Sequence, residues 1–325
     1  MLTPHPVTRP IGLSRIAVGL PSGSEPVDDV LVRLGRPATE RHIFSRIYKL
    51  GRSPVLGPGE DLEALLIETA ARALDGRTTA LVLYGHTMMG QSMSYLPGFA
   101  DRFRGALGIP GAQLFGVSQI ACTSVLRSID LATRYLDWSG SSDPVLVLGG
   151  DQASLYDQVR LMPGVTVLGD AAAALLVSPS GAGRYRYLGG AALRDSRFHR
   201  SMRMPPEEFR EFAAVCCERV VETIHAALET AGFGLADVDL IMPHHNNAMF
   251  WRSFANTTGF PRDRIHLDLL PELGHTFGSD SLLALHHADT AGLLKPGARC
   301  LLIAIGQGAY FQAALVEVTD DDSGM

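Results

Sequence analysis

The sequence predicts an α/β fold built from two similar halves. Three observations carry that expectation. Apolar, strand-like runs recur along the chain with helix-like stretches between them. Their order, β-α-β-α-β-β, occurs twice at an offset of roughly 150–160 residues, too long for a solenoid repeat. With 46% apolar and 19% charged residues, the 325-residue chain has the balance of one that buries a large core.

In the first half, "TALVLYGH" (79–86) is a short apolar run and reads as a buried strand. The helix-like "SYLPGFADRFRGALG" (94–108) follows, then the strand "AQLFGVS" (112–118). "TSVLRSIDLATRYLDW" (123–138) carries apolar residues at helical spacing. The strands "PVLVLGGD" (144–151) and "AAAALLVS" (171–178) complete the set. The second half repeats it: strand "VDLIMPHH" (238–245), helix "NAMFWRSFANTTG" (247–259), strand "RIHLDLL" (264–270), helix "GSDSLLALHHADTAGLL" (278–294), then strands "RCLLIAIGQG" (299–308) and "YFQAALVEV" (310–318). Between the halves, "YRYLGGAALRDSRFHRSMRMPPEEF" (185–209) reads as a basic connector. A long helix follows over 205–232, opening on proline and acidic residues and closing on glycine. The expected boundary lies near Ser178–Gly183, giving halves of 1–180 and 181–325. The polar tail "TDDDSGM" is expected to fray.

Composition narrows the function. A net charge of −6 argues against general nucleic-acid binding, which favours a basic surface. The four cysteines, Cys122, Cys216, Cys217 and Cys300, form no CxxC pair and no secreted disulfide framework. A reducing cytoplasm is the expected compartment. The N-terminus has no signal-peptide h-region, and no window approaches the roughly 18 apolar residues of a membrane span.

Cys122 lies at a strand-to-helix junction, and "GHTFGSDS" (274–281) occupies the equivalent place in the second half. "PHHNN" (243–247) ends the first strand of that half. Ligands of α/β sheets gather beyond the carboxyl ends of strands, so Cys122, His244 and His275 converge if the halves pack about a pseudo-two-fold axis. A helix N-terminus and nearby imidazoles favour a thiolate, and unpaired N–H groups there face a developing oxyanion. The "GQG" at 306–308 offers a second backbone donor. Each feature also has a plain structural reading. Cysteine is a common small core residue, and strand-end histidines often satisfy local hydrogen bonds. "GHTFGSDS" reads equally as a glycine turn with Ser279 or Asp280 capping the next helix. A metal site on His244, His245, His286 or His287 is disfavoured, because adjacent strand histidines point to opposite faces and the spacing fits no common zinc pattern.

The ensemble resembles the thiolase superfamily, most closely its β-ketoacyl-acyl-carrier-protein synthase III branch. "SQIACTSVLRSIDLA" resembles the nucleophile segment, and "VLVLGGDQAS" with "VTVLGDAAAALLVS" the strand pair closing the first half. "LIMPHHNNAMF" resembles the catalytic-histidine strand, and "LGHTFGSDSLLAL" with "LLKPGARCLLIAIGQGAYFQAALVEV" the C-terminal end. The likeness spans 60–318 and implies a five-layered αβαβα fold of two pseudo-symmetric halves, in a homodimer. It implies Cys122 as the acylated nucleophile, His244 and His275 as catalytic partners, and backbone N–H groups of Cys122, Gln307 and Gly308 as the oxyanion site. Asn247 occupies a further polar position. The basic cluster Arg197, Arg200 and Arg203 reads either as a carrier-protein contact or as a solvated loop. No resident cofactor or metal is implied, since substrates ride on the phosphopantetheine of an acyl carrier protein or coenzyme A.

Two departures from that branch shape the expected activity. His275 stands where the branch has asparagine, giving the Cys-His-His set of chain-elongating condensing enzymes. Residues 21–60 hold no tryptophan of the kind that helps grip coenzyme A, which favours a carrier-protein donor. The expected reaction is decarboxylative condensation to a β-ketoacyl thioester, in a specialised fatty-acid or polyketide-type pathway. The alternative passes the acyl group to an alcohol or amine without loss of carbon dioxide, and a third reading is a non-enzymatic partner subunit on the same fold.

Overall fold

Strands buried on both faces organise the molecule, and a computed structural model describes residues 1–91, 93 and 98–320 of it. In chain order the first elements are β1 (Leu2–Leu13), β2 (Ala17–Gly19), β3 (Gly23–Pro26), α1 (Val27–Arg33), α2 (Ala38–His42), β4 (Arg52–Val55), α3 (Leu62–Leu74) and β5 (Leu81–Gly85). Then come α4 (Phe99–Ala106), β6 (Gln113–Val117), α5 (Ser124–Ser139), β7 (Val145–Asp151), β8 (Leu161–Met162), β9 (Thr166–Val167) and β10 (Ala171–Ser178). The rest of the chain gives β11 (Tyr185–Arg194), α6 (Pro206–Ala231), β12 (Leu240–Met242), α7 (Ala248–Thr258), α8 (Leu270–Leu273), α9 (Asp280–Thr290), β13 (Arg299–Gly306) and β14 (Tyr310–Val318).

The strand order is β12-β13-β14-β11-β1-β10-β7-β5-β6, with β2 also on β10. Two groups of corresponding topology, one ending on β1 and the other on β11, meet where β1 pairs with β11, and the parallel bridge Ile241–Ile265 stands in the second where β6 stands in the first. In one, β5 pairs parallel with β6 and β7, and β10 runs antiparallel to β7. In the other, β12 pairs parallel with β13, β14 runs antiparallel to β13, and β11 antiparallel to β14. β1 bonds to β11 over most of its length and to β10 only at Gly12 and Leu13.

Side-chain alternation sorts these strands into layers. Val145 and Val147 of β7 and Leu302 and Ala304 of β13 face one central core, which also holds α5 and α9 through Val125, Ile129, Leu282 and Leu285. Leu146 and Leu148 face outward onto α3. Leu301, Ile303 and Ile305 face outward onto α6 and α7, around the buried Trp251. The layers are therefore helix, sheet, central helices, sheet, helix. Strands covered on both faces read as continuous apolar runs, which is why the repeat was visible in the sequence. α9 is buried on every side from Leu282 to Leu285, as a helix between two sheets must be.

The structure corrects two local expectations and adds a strand that the sequence did not announce. Residues 264–270 form no strand. A single bridge joins Ile265 to Ile241, and the chain then turns into α8, with Pro271 in its first turn. The expected connector at 185–194 is β11, an inner strand. Its Gly189–Gly190 pair hides it, and the register with β14 shifts there. The first thirteen residues, punctuated by Pro4, Pro6 and Pro10, form the joining strand β1. Of the predicted helix over 94–108, residues 99–106 are helical; residues 94–97, and residues 321–325 of the tail, lie outside the described residues. Among the described residues no helix is long and apolar enough to cross a membrane.

Candidate active site

Four chain segments end at one place, each just past the carboxyl end of a strand or edge segment. Cys122 follows β6 in a tight turn, Ala121–Thr123, that leads into α5. Gln119 and Ala121 both have positive φ (67° and 50°), a backbone that L-residues adopt at a cost of about 1–3 kcal/mol each. Two glycines let neighbouring segments press on this turn. A Cβ on Gly306 would stand 2.6 Å from the Ile120 carbonyl oxygen, and one on Gly278 2.6 Å from Val125 Cγ2. His244 follows β12, and Trp251 Nε1 donates to its carbonyl at 2.7 Å. His275 is pinned by its own backbone: its N–H donates to Val167 O, and its carbonyl accepts from Gly169.

The structure brings the three predicted residues together. Cys122 Sγ lies 3.4 Å from His275 Nε2, and the His244 and His275 rings meet edge-on with centroids 4.3 Å apart. All three are buried. A fourth residue, set aside in the sequence as a helix cap, completes the cluster. Asp280 Oδ2 accepts from His275 Nδ1 at 2.6 Å and from the His245 backbone N–H at 2.7 Å. Its Oδ1 accepts from Thr276 N at 2.6 Å and Thr276 Oγ1 at 2.8 Å. The only sequence signal for Asp280 was its position five residues after His275, at the first turn of α9.

Electrostatics separate the two histidines. Burial opposes a charge on His275, but Asp280 and then Cys122 outweigh it and raise the imidazole to about 10. Burial also opposes ionisation of Asp280, yet the histidine charges, His275 first, hold the carboxyl far below the usual carboxylate range. His244 goes the other way. Burial and then the neighbouring His275 push it well below the ordinary value, so it is neutral. Its Nδ1 stands 3.5 Å from Asp280 Oδ2 without a hydrogen-bond partner among the described residues.

Two cavities open onto Cys122. One, about 450 Å³, is lined by Phe209, Phe212, Met249 and Phe250, with His244 and Asn247 at depth. The other, about 570 Å³, is lined by Met88, Met162, Gln307, Gly308 and Tyr310. Gln307 and Gly308 thus reach the site, with Gly308 at φ 88°. Asn247 sits at the first cavity, but both ends of its amide are engaged: Oδ1 caps α7 by accepting from Phe250 N at 2.9 Å, and Nδ2 donates to Val165 O at 3.0 Å. Arg197 pairs with Asp195 and Glu211, and Arg200 with Glu208, while Arg203 is exposed. Among the described residues, two groups bring metal-type donors within 4.8 Å of one another, His244–His275–Asp280 and His266–Asp268–His287. In the first, the Asp280 oxygens already accept the four hydrogen bonds above. In the second, His266 Nε2 and His287 Nδ1 bond to each other at 2.8 Å.

Comparison with known proteins gives a consistent picture. Residues 117–195 match the 3-oxoacyl-[acyl-carrier-protein] synthase III profile, and residues 228–318 match that of its C-terminal part. The β-ketoacyl-[acyl-carrier-protein] synthase III 3 of Streptomyces coelicolor is 27% identical over 242 residues, 67% of this chain and 70% of its own length. The β-ketoacyl-[acyl-carrier-protein] synthase III of a Ruegeria species is 24% identical over 86% of this chain and 84% of its own. Among solved structures, ChlB3, described as an acyltransferase, superposes with a TM-score of 0.84 at 20% identity, covering 97% of this chain and all of its own. The 3-oxoacyl-(acyl carrier protein) synthase III of Pseudomonas aeruginosa gives 0.79 at 19% identity, covering 96% and 99%.

Proposed function

Because this chain belongs to the 3-oxoacyl-[acyl-carrier-protein] synthase III family of the thiolase superfamily and is an acyltransferase of that kind, we propose that it carries an acyl group on Cys122 and passes it to a hydroxyl or amine acceptor. One observation carries the choice of acceptor chemistry: the 2.6 Å bond from His275 Nδ1 to Asp280. With Nδ1–H committed to a carboxylate, the nitrogen facing Cys122 is Nε2, and in the neutral ring it is a proton acceptor.

The proton count then closes on His275 alone. At rest His275 holds a proton on Nε2, toward Sγ, stabilised by Asp280. The sulfur attacks the donor thioester carbonyl. The tetrahedral oxyanion meets the backbone N–H of Cys122 and of the 306–308 turn. His275 gives its proton to the departing pantetheine thiolate, leaving an acyl-cysteine and a neutral ring with a lone pair on Nε2. That lone pair takes the acceptor's proton as its oxygen or nitrogen attacks the acyl-cysteine. Sγ departs, and the pair returns to its starting state.

Decarboxylative condensation, the first expectation from the sequence, is the second reading, and His244 favours it. A neutral, buried imidazole edge-on to His275 is well placed to donate to a malonyl thioester oxygen. It asks His275 to present N–H from Nε2 after loading, when the ring has just released that proton.

The donor is an acyl carrier protein or coenzyme A. Arg46, Lys49, Arg210 and Arg252 are exposed and have no ion-pair partner among the described residues. Each lies within three residues of Tyr48, Phe209 or Met249 at the 450 Å³ cavity. They are better placed than the internally paired Arg197 and Arg200 to meet an acidic carrier. We also propose a homodimer formed along β6, an edge strand whose Phe115 is 54% exposed.

The deciding experiment is intact-mass detection of an acyl adduct at Cys122 with a panel of acyl carriers, followed by acceptor addition with carbon dioxide monitored. Transfer to an alcohol or amine without carbon dioxide supports the first reading. Stoichiometric carbon dioxide with a β-ketoacyl product overturns it in favour of the second. Absence of any Cys122 adduct overturns both.

A further inference from the structure

The two cavities that meet at Cys122 differ in what they leave unsatisfied. In the 450 Å³ cavity the aromatic walls are apolar, Asn247 Oδ1 and Nδ2 each have a partner, and the unpartnered Nδ1 of His244 belongs to the reacting cluster itself. The 570 Å³ cavity is different. Thr87 lines it, and its Oγ1 is buried with no hydrogen-bond partner among the described residues. Tyr310 and Ser201 line it half-buried, and their hydroxyls have no partner among the described residues. The Gln307 amide, which borders both cavities, donates among the described residues only to the thioether of Met162, at 3.3 Å, and sulfur is a weak acceptor.

Backbone strain concentrates on the same wall. Of the seven described non-glycine residues with positive φ, four line this cavity: Gln119, Ala121, Ser201 and Phe277. Strain of about 1–3 kcal/mol per residue persists where the surroundings hold it for a purpose, and a buried hydroxyl without a partner costs a comparable amount. A saturated chain would repay neither cost. An occupant with its own oxygen atoms would take up Thr87, Tyr310 and Gln307, while the flexible side chains of Met88 and Met162 adapt to its shape.

We infer that the 570 Å³ cavity receives an oxygenated acyl group, one bearing hydroxyl or keto substituents along its chain or ring, rather than a plain saturated chain. The inference rests on the reading that Cys122 carries the acyl group, and it names the class of that group. The thioester arm then enters through the aromatic cavity and the acyl group points into the polar one.

The test uses wild-type protein and pantetheine ketones, in which a methylene replaces the thioester sulfur so that nothing can be transferred to Cys122. Two are compared by calorimetry: a saturated C8 chain, and the same chain with hydroxyls on the 3- and 5-carbons. Two new hydrogen bonds, less the cost of desolvating the ligand hydroxyls, predict binding about tenfold tighter for the dihydroxy ligand. Thr87→Val and Tyr310→Phe remove the two hydroxyls with little change of shape. Together they should reduce the preference to less than threefold, with Tm as the check on folding. Equal or tighter binding of the saturated ligand to wild type overturns the inference, as does a preference that survives in the double variant. The acyl-cysteine reading fails separately, through absence of an adduct on Cys122 with transferable thioesters.

Discussion

Replacing Asp280 by asparagine separates the two reactions proposed for this site. Asp280 accepts four hydrogen bonds, from His275 Nδ1, His245 N, Thr276 N and Thr276 Oγ1. An asparagine keeps the shape but has one oxygen and an NH₂ group. With Oδ1 toward Thr276, its amide hydrogens face His275 Nδ1 and the His245 N–H. His275 then accepts at Nδ1, and its proton moves to Nε2. The carboxylate is also the first influence holding the proton on His275 against burial. Relative to the ordinary value of 6.5, a pKa of about 10 is a shift of 3.5, worth about 5 kcal/mol at 1.36 kcal/mol per unit. That is the net of burial, which opposes the charge, and of Asp280 and then Cys122, which favour it. Loss of the orienting carboxylate and of the basic Nε2 predicts acyl loading slower by a factor on the order of 10²–10⁴. Single-turnover intact-mass kinetics at pH 7 read that factor, with Tm as the check on folding. Transfer from pre-loaded enzyme to an alcohol or amine should fall equally. Carbon dioxide release from a malonyl donor should not fall with it, because the variant presents the N–H that decarboxylation needs. If folded Asp280→Asn loads and transfers within threefold of wild type, the tautomer argument is wrong.

Iodoacetamide should modify Cys122 first, because burial pushes Cys216 up to about 12 and raises Cys217 and Cys300 as well; peptide mapping that found Cys217 modified fastest would count against the nucleophile assignment. Reversing the charge at Arg46, Lys49, Arg210 and Arg252 should raise KM for a carrier-protein donor at least tenfold at low salt and leave a small thioester mimic within twofold, whereas Arg197→Glu should leave both within twofold. Gly306→Ala should slow loading about 10²-fold with little change in small-thioester binding, because its Cβ would drive the Ile120 carbonyl and the nucleophile turn aside. Burial lowers His5 from 6.5 to about 4, so the unfolded chain binds the extra proton first; stability should be full above pH 6.5 and decline as pH falls toward 4, and His5→Gln should flatten that part of a Tm-versus-pH curve.

What the sequence reveals and what it hides follow from how far apart the cooperating residues lie. The doubled strand order was legible because β7, β10, β13 and β14 are covered on both faces and so are apolar without interruption. β11 and β1 were not, because Gly189, Gly190 and the prolines of β1 suppress the local strand signal, and pairing with each other and with β14 makes them strands. The meeting of Cys122, His244 and His275 could be anticipated from their equivalent places at strand ends. The partnership of His275 with Asp280 could not, since Ser279 and Asp280 at a helix start are equally good caps, and the local pattern says nothing about where a carboxylate turns. In the structure, Asp280 turns back toward the histidine rather than capping α9: it accepts the His245 backbone N–H from the segment after β12 and the Thr276 N–H from its own turn. One carboxylate thereby ties the two histidine segments together and fixes which nitrogen of His275 faces the sulfur. The residue that distinguishes base from donor chemistry is thus the one whose role exists only once the two histidine segments have packed around it.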